Sequence, residues 1–224
     1  MVLHKQWDVA AAKALADGEI DAVAVFIGHD DFKPFLQAKL ANRTLEREDA
    51  AGLVTNLEAN LGRMLDRLAE AKRGKIYVLT LAPWQHVPYV NYQRPTPAEI
   101  ALLIDTMTQA NQRIAMVAKQ RGMPLVDISK RFCELVDRHR PLVIEGATVS
   151  IHCGGEGGEW FFRRDGMHVG TVASALLVND LITAVNQYSL RDRHLAIPLF
   201  PHPEIADLAG LNRPASLSKK EDSP

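Results

Sequence analysis

Three short, almost uninterrupted apolar runs constrain this chain more than any other feature. Ala22–Ile27 (AVAVFI) ends at Gly28, Ile76–Leu81 (IYVLTL) ends at Ala82-Pro83, and Leu125–Ile128 (LVDI) follows Gly122-Met123-Pro124. A strand with one face in water alternates apolar and polar residues, whereas a run apolar on both faces fits a strand covered on both sides, as in a parallel sheet. Parallel neighbours need long crossovers, and the intervening stretches read as amphipathic helices. Leu53, Leu57, Leu61, Met64, Leu65 and Leu68 recur at three- and four-residue spacing before Gly74. Thr96-Pro97-Ala98-Glu99 is a capping box with proline at the first helical position. Ile100, Leu103, Ile104, Met107, Ile114 and Val117 carry that helix's apolar face towards Gly122, and a last helix runs from Thr171 to Asn186. Strand–helix alternation of this length predicts βαβ crossovers in an α/β sheet with helices on both faces, three layers in all. The three strands are expected parallel and in sequence order, with Ala22–Ile27 as the exposed edge.

Two segments fall outside the alternation. Pro141–Arg164, containing Gly154-Gly155-Glu156-Gly157-Gly158, reads as one long connection. The chain turns polar after Pro201, so residues 1–200 are expected to form one α/β domain and 201–224 a largely irregular tail.

Composition narrows the function classes. With 26 Lys plus Arg against 27 Asp plus Glu in 224 residues, there is no basic excess of the kind a phosphate-neutralising nucleic-acid protein needs. The two cysteines, Cys133 and Cys153, build no disulfide framework and neither lies in a Cys-x-x-Cys. No apolar run reaches the roughly 18–20 residues that span a bilayer, and Met1–Asp8 lacks a basic-then-apolar signal pattern. A soluble protein is expected, its compartment open, with no nucleic acid or membrane span among its partners. The apolar Ala22–Ile27 edge is a candidate surface for self-association.

Open α/β sheets bind ligands beyond the carboxyl ends of their strands. The segments expected there are Gly28-His29-Asp30-Asp31-Phe32, Ala82-Pro83-Trp84-Gln85-His86, and Arg164-Asp165-Gly166-Met167-His168-Val169-Gly170 ahead of the last helix. Asp165 three residues before His168 suits a carboxylate that orients an imidazole and leaves its other nitrogen as a base. The same spacing also suits a helix-capping aspartate next to a surface histidine. Ser129, Ser150, Ser174 and Cys153 are available hydroxyls and thiols, but none lies in a Gly-x-Ser-x-Gly elbow. His29, Asp30, Asp31, His152, Cys153, Asp165 and His168 include metal-ligand types. The Gly-His-x-His element of a metallophosphoesterase is missing, and neither a metal nor a cofactor is expected. Trp84, Trp160, Phe161 and Phe162 suit either an apolar substrate cleft or the core.

The run Asp165–Asn186 (DGMHVGTVASALLVNDLITAVN) resembles the final block of the SGNH hydrolases, the GDSL-type esterases and lipases, in which Asp-x-x-His precedes a helix. Ile27-Gly28-His29-Asp30-Asp31 is similar to that family's Gly-x-Asn-Asp block, and the order and spacing match over roughly residues 20 to 190. The resemblance implies a flavodoxin-like α/β/α sandwich that hydrolyses a small-molecule ester. It implies His168 as general base and Asp165 as its orienting acid, with Gly28, Asp30 and Asp31 in the oxyanion and substrate loop. Two departures stand out. Asp30 falls where the family has its oxyanion-hole Asn, and an ionised carboxylate cannot donate to an oxyanion. One lost donor costs about 100- to 1000-fold in turnover. The 27 residues before Gly28 contain no serine. The chain therefore resembles the C-terminal part of such a hydrolase, without the Gly-Asp-Ser block, its nucleophile unassigned and its activity impaired. The alternatives are a non-catalytic binding or interaction remnant of the same ancestry, or a metal-dependent hydrolase.

Overall fold

In a computed structural model, which describes residues 7–42, 44, 46–72, 74–136, 140–153, 155, 157–190 and 195–211, the chain is a mixed α/β protein. Strands β1 (Ala22–Val25), β2 (Lys75–Leu79) and β3 (Leu125–Val126) form a sheet in the order β1-β2-β3. Both pairings are parallel, with Val25 opposite Val78 and Leu79 opposite Val126. The expected strand order therefore holds, and β1 is the terminal strand.

Residues of β2 show why the runs are apolar on both faces. Ile76 and Val78 belong to the larger core cluster, with Leu61 and Leu65 of α3 (Arg47–Ala69) and Leu103, Met107 and Ile114 of α5 (Pro97–Gln120). Tyr77 and Leu79 point the other way, as alternation along a strand requires. They join Val126, Ile128 and, from α7 (Thr171–Val185), Ala184 and Leu181. The Tyr77 hydroxyl also meets the Ser189 hydroxyl in the π-helical turn Asn186–Leu190. The capping box of α5 is formed: Thr96 Oγ1 accepts from Glu99 N–H, and the Glu99 carboxylate accepts from Thr96 N–H.

Each strand is two residues shorter at its carboxyl end than the apolar run that encodes it. Beyond β2 the backbone partners become side chains. Asn111 of α5 accepts from Leu81 N–H at 2.7 Å and donates to Leu81 O at 3.0 Å. His29 Nε2 accepts from Ala82 N–H at 3.1 Å. Beyond β3, Asp127 caps α6 (Ile128–Leu135) by accepting from Lys130 N–H.

Pro141–Arg164 is not a structureless connection. It contains β4 (Leu142–Ile144), β5 (Ala147–Cys153) and β6 (Trp160–Phe162), with β4–β5 antiparallel and β5–β6 parallel. Glu145 and Gly146 make the β4–β5 turn with φ of 49° and 81°, the two positive values of a tight hairpin turn. The stretch after Pro201 is likewise not wholly irregular. Helix α8 (His202–Ala209) buries Ile205 and Ala206 completely and ends at Gly210 with φ 70°. Residues 195–200 are held by two asparagines: Asn179 bonds Phe200 N–H and C=O, and Asn186 bonds Ile197 N–H and C=O. The rest of the expected tail, residues 212–224, lies outside the described residues.

Candidate functional site

Asp165 and His168 are brought together by a tight excursion between β6 and α7. Phe162 pairs antiparallel with Val169, Arg163 N–H donates to His168 O at 2.8 Å, and Gly166 N–H donates to Arg163 O at 2.9 Å. The tip must turn sharply, and Gly166 supplies φ 68°. Asp165 Oδ1 accepts from the N–H groups of Met167 (2.8 Å) and His168 (2.9 Å), while Oδ2 meets His168 Nδ1. The N-cap of α7 is Gly170, so Asp165 caps its own turn and not the helix. Partial burial alone would push the Asp165 carboxyl up. The His168 ring contact and the two backbone hydrogen bonds outweigh it and hold the group down at about 2. With the proton on Nδ1, the His168 Nε2 lone pair is free, and the ring is largely solvent-exposed.

The Gly28 segment is held by shape. Gly28 has φ 120°, and a Cβ there would lie 2.9 Å from Leu57 Cδ1 and 3.3 Å from both Leu81 methyls. Its carbonyl accepts from Asp31 and Phe32 N–H as α2 (His29–Asn42) begins. His29 lies edge-on to Phe26 at 5.0 Å and beside Trp84 at 6.2 Å. Burial lowers its pKa, and the bond from Ala82 N–H to Nε2 places the proton of the neutral ring on Nδ1. Asp30 is exposed. Asp31 is half-buried, and burial, with Asp30 beside it, pushes its carboxyl up.

Segments following all three apolar runs, together with Met167 and His168, meet around one cavity of about 260 Å³. Phe26, His29 and Asp30 come from the β1 side, Ala82 and Trp84 from the β2 side, and Ile128 and Phe132 from α6. This is the carboxyl end of the parallel sheet. His29, Asp30, Lys33 and His168 are the residues with ionisable side chains in a lining that is otherwise apolar or aromatic. Trp84 is 3% exposed, and its indole N–H has no hydrogen-bond partner. Of the expected site residues, the cavity gathers Asp30 and His168. Asp165 stands behind His168, Gly28 sets the backbone under His29, and Asp31 is not part of the lining.

Among the described residues, no serine, threonine or cysteine lines this cavity. Ser129 and Cys133 line a separate one between α5 and α6, where Ser129 N–H donates to Thr80 Oγ1. Burial, with Asp127 and Glu134 nearby, raises the Cys133 thiol pKa. Ser150 Oγ accepts from His152 N–H, and Ser174 lies in α7. Cys153 ends β5, with its side chain outside the described part. His152 lines another cavity beside His86. Among the described residues, no three His, Cys, Asp or Glu side chains are grouped to hold a metal ion. Nor, among these residues, is any helix long and apolar enough to cross a membrane. The aromatic residues divide: Phe161 is wholly buried against Phe132 and Phe162, whereas Trp84, Phe132 and Phe162 also reach the cavity.

Sequence reasoning treated His29 only as a metal-ligand type and did not see its role as the link between two loops. The signal was its place directly after a glycine that ends a buried strand. Comparison with protein-family models, with characterised proteins and with solved structures finds no match for this chain.

Proposed function

We propose that the chain carries the acid–base half of an SGNH-type ester hydrolase on a flavodoxin-like, three-layer α/β/α frame. The observation that carries this reading is the Asp165 carboxylate on His168 Nδ1 at the rim of an apolar cavity beyond the strand ends. Asp165 fixes the tautomer and stabilises the imidazolium as it forms, and Nε2 takes a proton from the attacking group. The cavity offers room for the apolar part of a small-molecule ester. The reading assigns no serine, so a water activated by His168 is the attacking group available in this chain, without the covalent step that divides the reaction into easier halves.

Hydrolysis of a short-chain aryl ester tests it. The expected result is weak turnover that His168→Ala abolishes. Joining an upstream segment bearing Gly-Asp-Ser should raise turnover, and Asp30→Asn in that extended protein should raise it further by supplying a donor. Turnover indifferent to His168→Ala refutes the reading. Strong His168-dependent turnover, with fluorophosphonate labelling of one of the chain's own serines, shows that the nucleophile is internal. A second reading, a non-catalytic binding domain of the same ancestry, is favoured by the lack of any hydroxyl or thiol among the described residues of the cavity lining. It predicts ligand binding with no turnover in any of these variants.

A further inference from the structure

His29 lines the cavity with only half of its hydrogen-bonding capacity used. Its Nε2 accepts from Ala82 N–H at 3.1 Å, which leaves the proton of the neutral ring on Nδ1. Among the described residues nothing pairs with Nδ1, and unlike the Trp84 indole nitrogen it is not sealed from solvent. Phe26, edge-on to the ring at 5.0 Å, Trp84 at 6.2 Å and Ala82 at Nε2 all line the same cavity, so the open side of the ring faces that space. Burial lowers the pKa of the ring and keeps it a neutral donor, although the Asp30 carboxylate next to it acts the other way. A cavity of about 150 Å³ holds benzene, so one of about 260 Å³ takes a molecule of roughly ten heavy atoms, which touches His29 and His168 together.

We propose that His29 is the donor this cavity offers to a bound carbonyl, its Nδ1–H directed to the carbonyl oxygen of a small uncharged ester while His168 acts as the base. That the ligand is an ester rests on the hydrolase reading above; the donor role towards a carbonyl rests on the surroundings of the His29 ring. In hydrolysis the attacking oxygen gives its proton to His168 Nε2 as it bonds to the carbonyl carbon, and the carbonyl π pair moves onto the oxygen. His29 keeps its proton, and its hydrogen bond strengthens as that negative charge grows. It thus supplies the donor that Asp30, as a carboxylate, does not.

The test uses two probes that cannot be hydrolysed, 4-phenyl-2-butanone and butylbenzene, which share an aromatic body and differ by the carbonyl. Binding is followed on the ¹⁵N-labelled full chain through the ring-nitrogen resonances of its eight histidines, and His29→Gln assigns the His29 pair. The expected result is that the ketone binds about fivefold more tightly than the hydrocarbon and moves the His29 Nδ1 signal several times further. Glutamine keeps an acceptor for Ala82 N–H but places no donor at the Nδ1 position. His29→Gln should therefore lose the preference while butylbenzene binds within about twofold of the unmodified chain. Lys33→Met should keep it, since the ammonium at the cavity wall is not the donor. The comparison in the unmodified chain stands even if a variant does not fold. Equal affinities, a His29 signal that stays still while the ketone binds, a preference kept in His29→Gln or lost in Lys33→Met, or no binding of either probe overturns the proposal. Ketone preference without ester turnover overturns the hydrolase reading alone. His168-dependent ester turnover without ketone preference overturns this inference alone.

Discussion

Replacing Gly28 by alanine should destabilise the protein by about 2–6 kcal/mol, for two reasons that can be separated. The backbone is at φ 120°, well outside the left-handed well that alanine tolerates, and holding a non-glycine residue there costs on the order of 1–3 kcal/mol. The added methyl would also lie 2.9 Å from Leu57 Cδ1 and 3.3 Å from two Leu81 methyls. Leu57 is 2% and Leu81 0% exposed, so neither has open space to move into, and overpacking adds about 1–3 kcal/mol. For a chain of this size, each kcal/mol lowers Tm by about 2–4 °C, so Tm should fall by roughly 4–24 °C. Urea denaturation followed by circular dichroism measures the loss, and a double-mutant cycle with Leu57→Ala apportions it. Leu57→Ala alone costs about 2–5 kcal/mol as a cavity. Combined with Gly28→Ala it should cost less than the sum by about 1 kcal/mol, because the clash is relieved and the φ strain is not. A Gly28→Ala protein within 0.5 kcal/mol of the parent would refute the reasoning. So would strict additivity, which would leave the clash without effect.

Three further outcomes are expected. The Asp165 carboxyl, followed by carbon NMR, should titrate at about 2, and His168→Ala should move it part of the way to the ordinary 3.8 because the two backbone donors remain. Since the folded value lies below the unfolded one, the turn's contribution to stability is full above the ordinary value and is lost as pH falls through about 2. It is small because the pair is open to solvent; an unchanged titration in His168→Ala would contradict the pairing. Asn111→Ala should cost about 2–4 kcal/mol in thermal or urea unfolding, since it strips both backbone partners from the wholly buried Leu81; a loss under 0.5 kcal/mol would mean that other groups bond that backbone. Ile205→Ala should cost about 2–5 kcal/mol and expose residues 202–209 to proteolysis; unchanged protease resistance and stability would show that α8 is not docked.

Much of the frame was legible in the residues because its signals are local. A run apolar on both faces can be satisfied only between two covering layers, and this placed all three parallel strands in order. The capping box at Thr96 and the spacing of leucines in 53–68 located two helices for the same reason. The small sheet in 141–164 had a readable signal as well, in the Glu145-Gly146 turn and the alternation of Ala147, Val149 and Ile151. The surrounding glycines and polar residues masked it. Helix α8 was hidden because its apolar residues are few, and their weight comes from docking between α7 and β4, which no local pattern carries.

The candidate site divides along the same line. Asp165 and His168 belong to one turn, so their spacing alone determines that carboxylate and ring can meet. What occupies the space in front of them depends on residues far apart along the chain: His29 reaching Ala82, Trp84 lying beside His29, and Asn111 bonding the Leu81 backbone where the ladder of β2 ends. These are packing outcomes, set when the helices close on the sheet. Periodicity along the chain reports which face of each element is buried but not which side chain fills the remaining gap, so the cavity and its unpaired indole are properties of the tertiary structure alone.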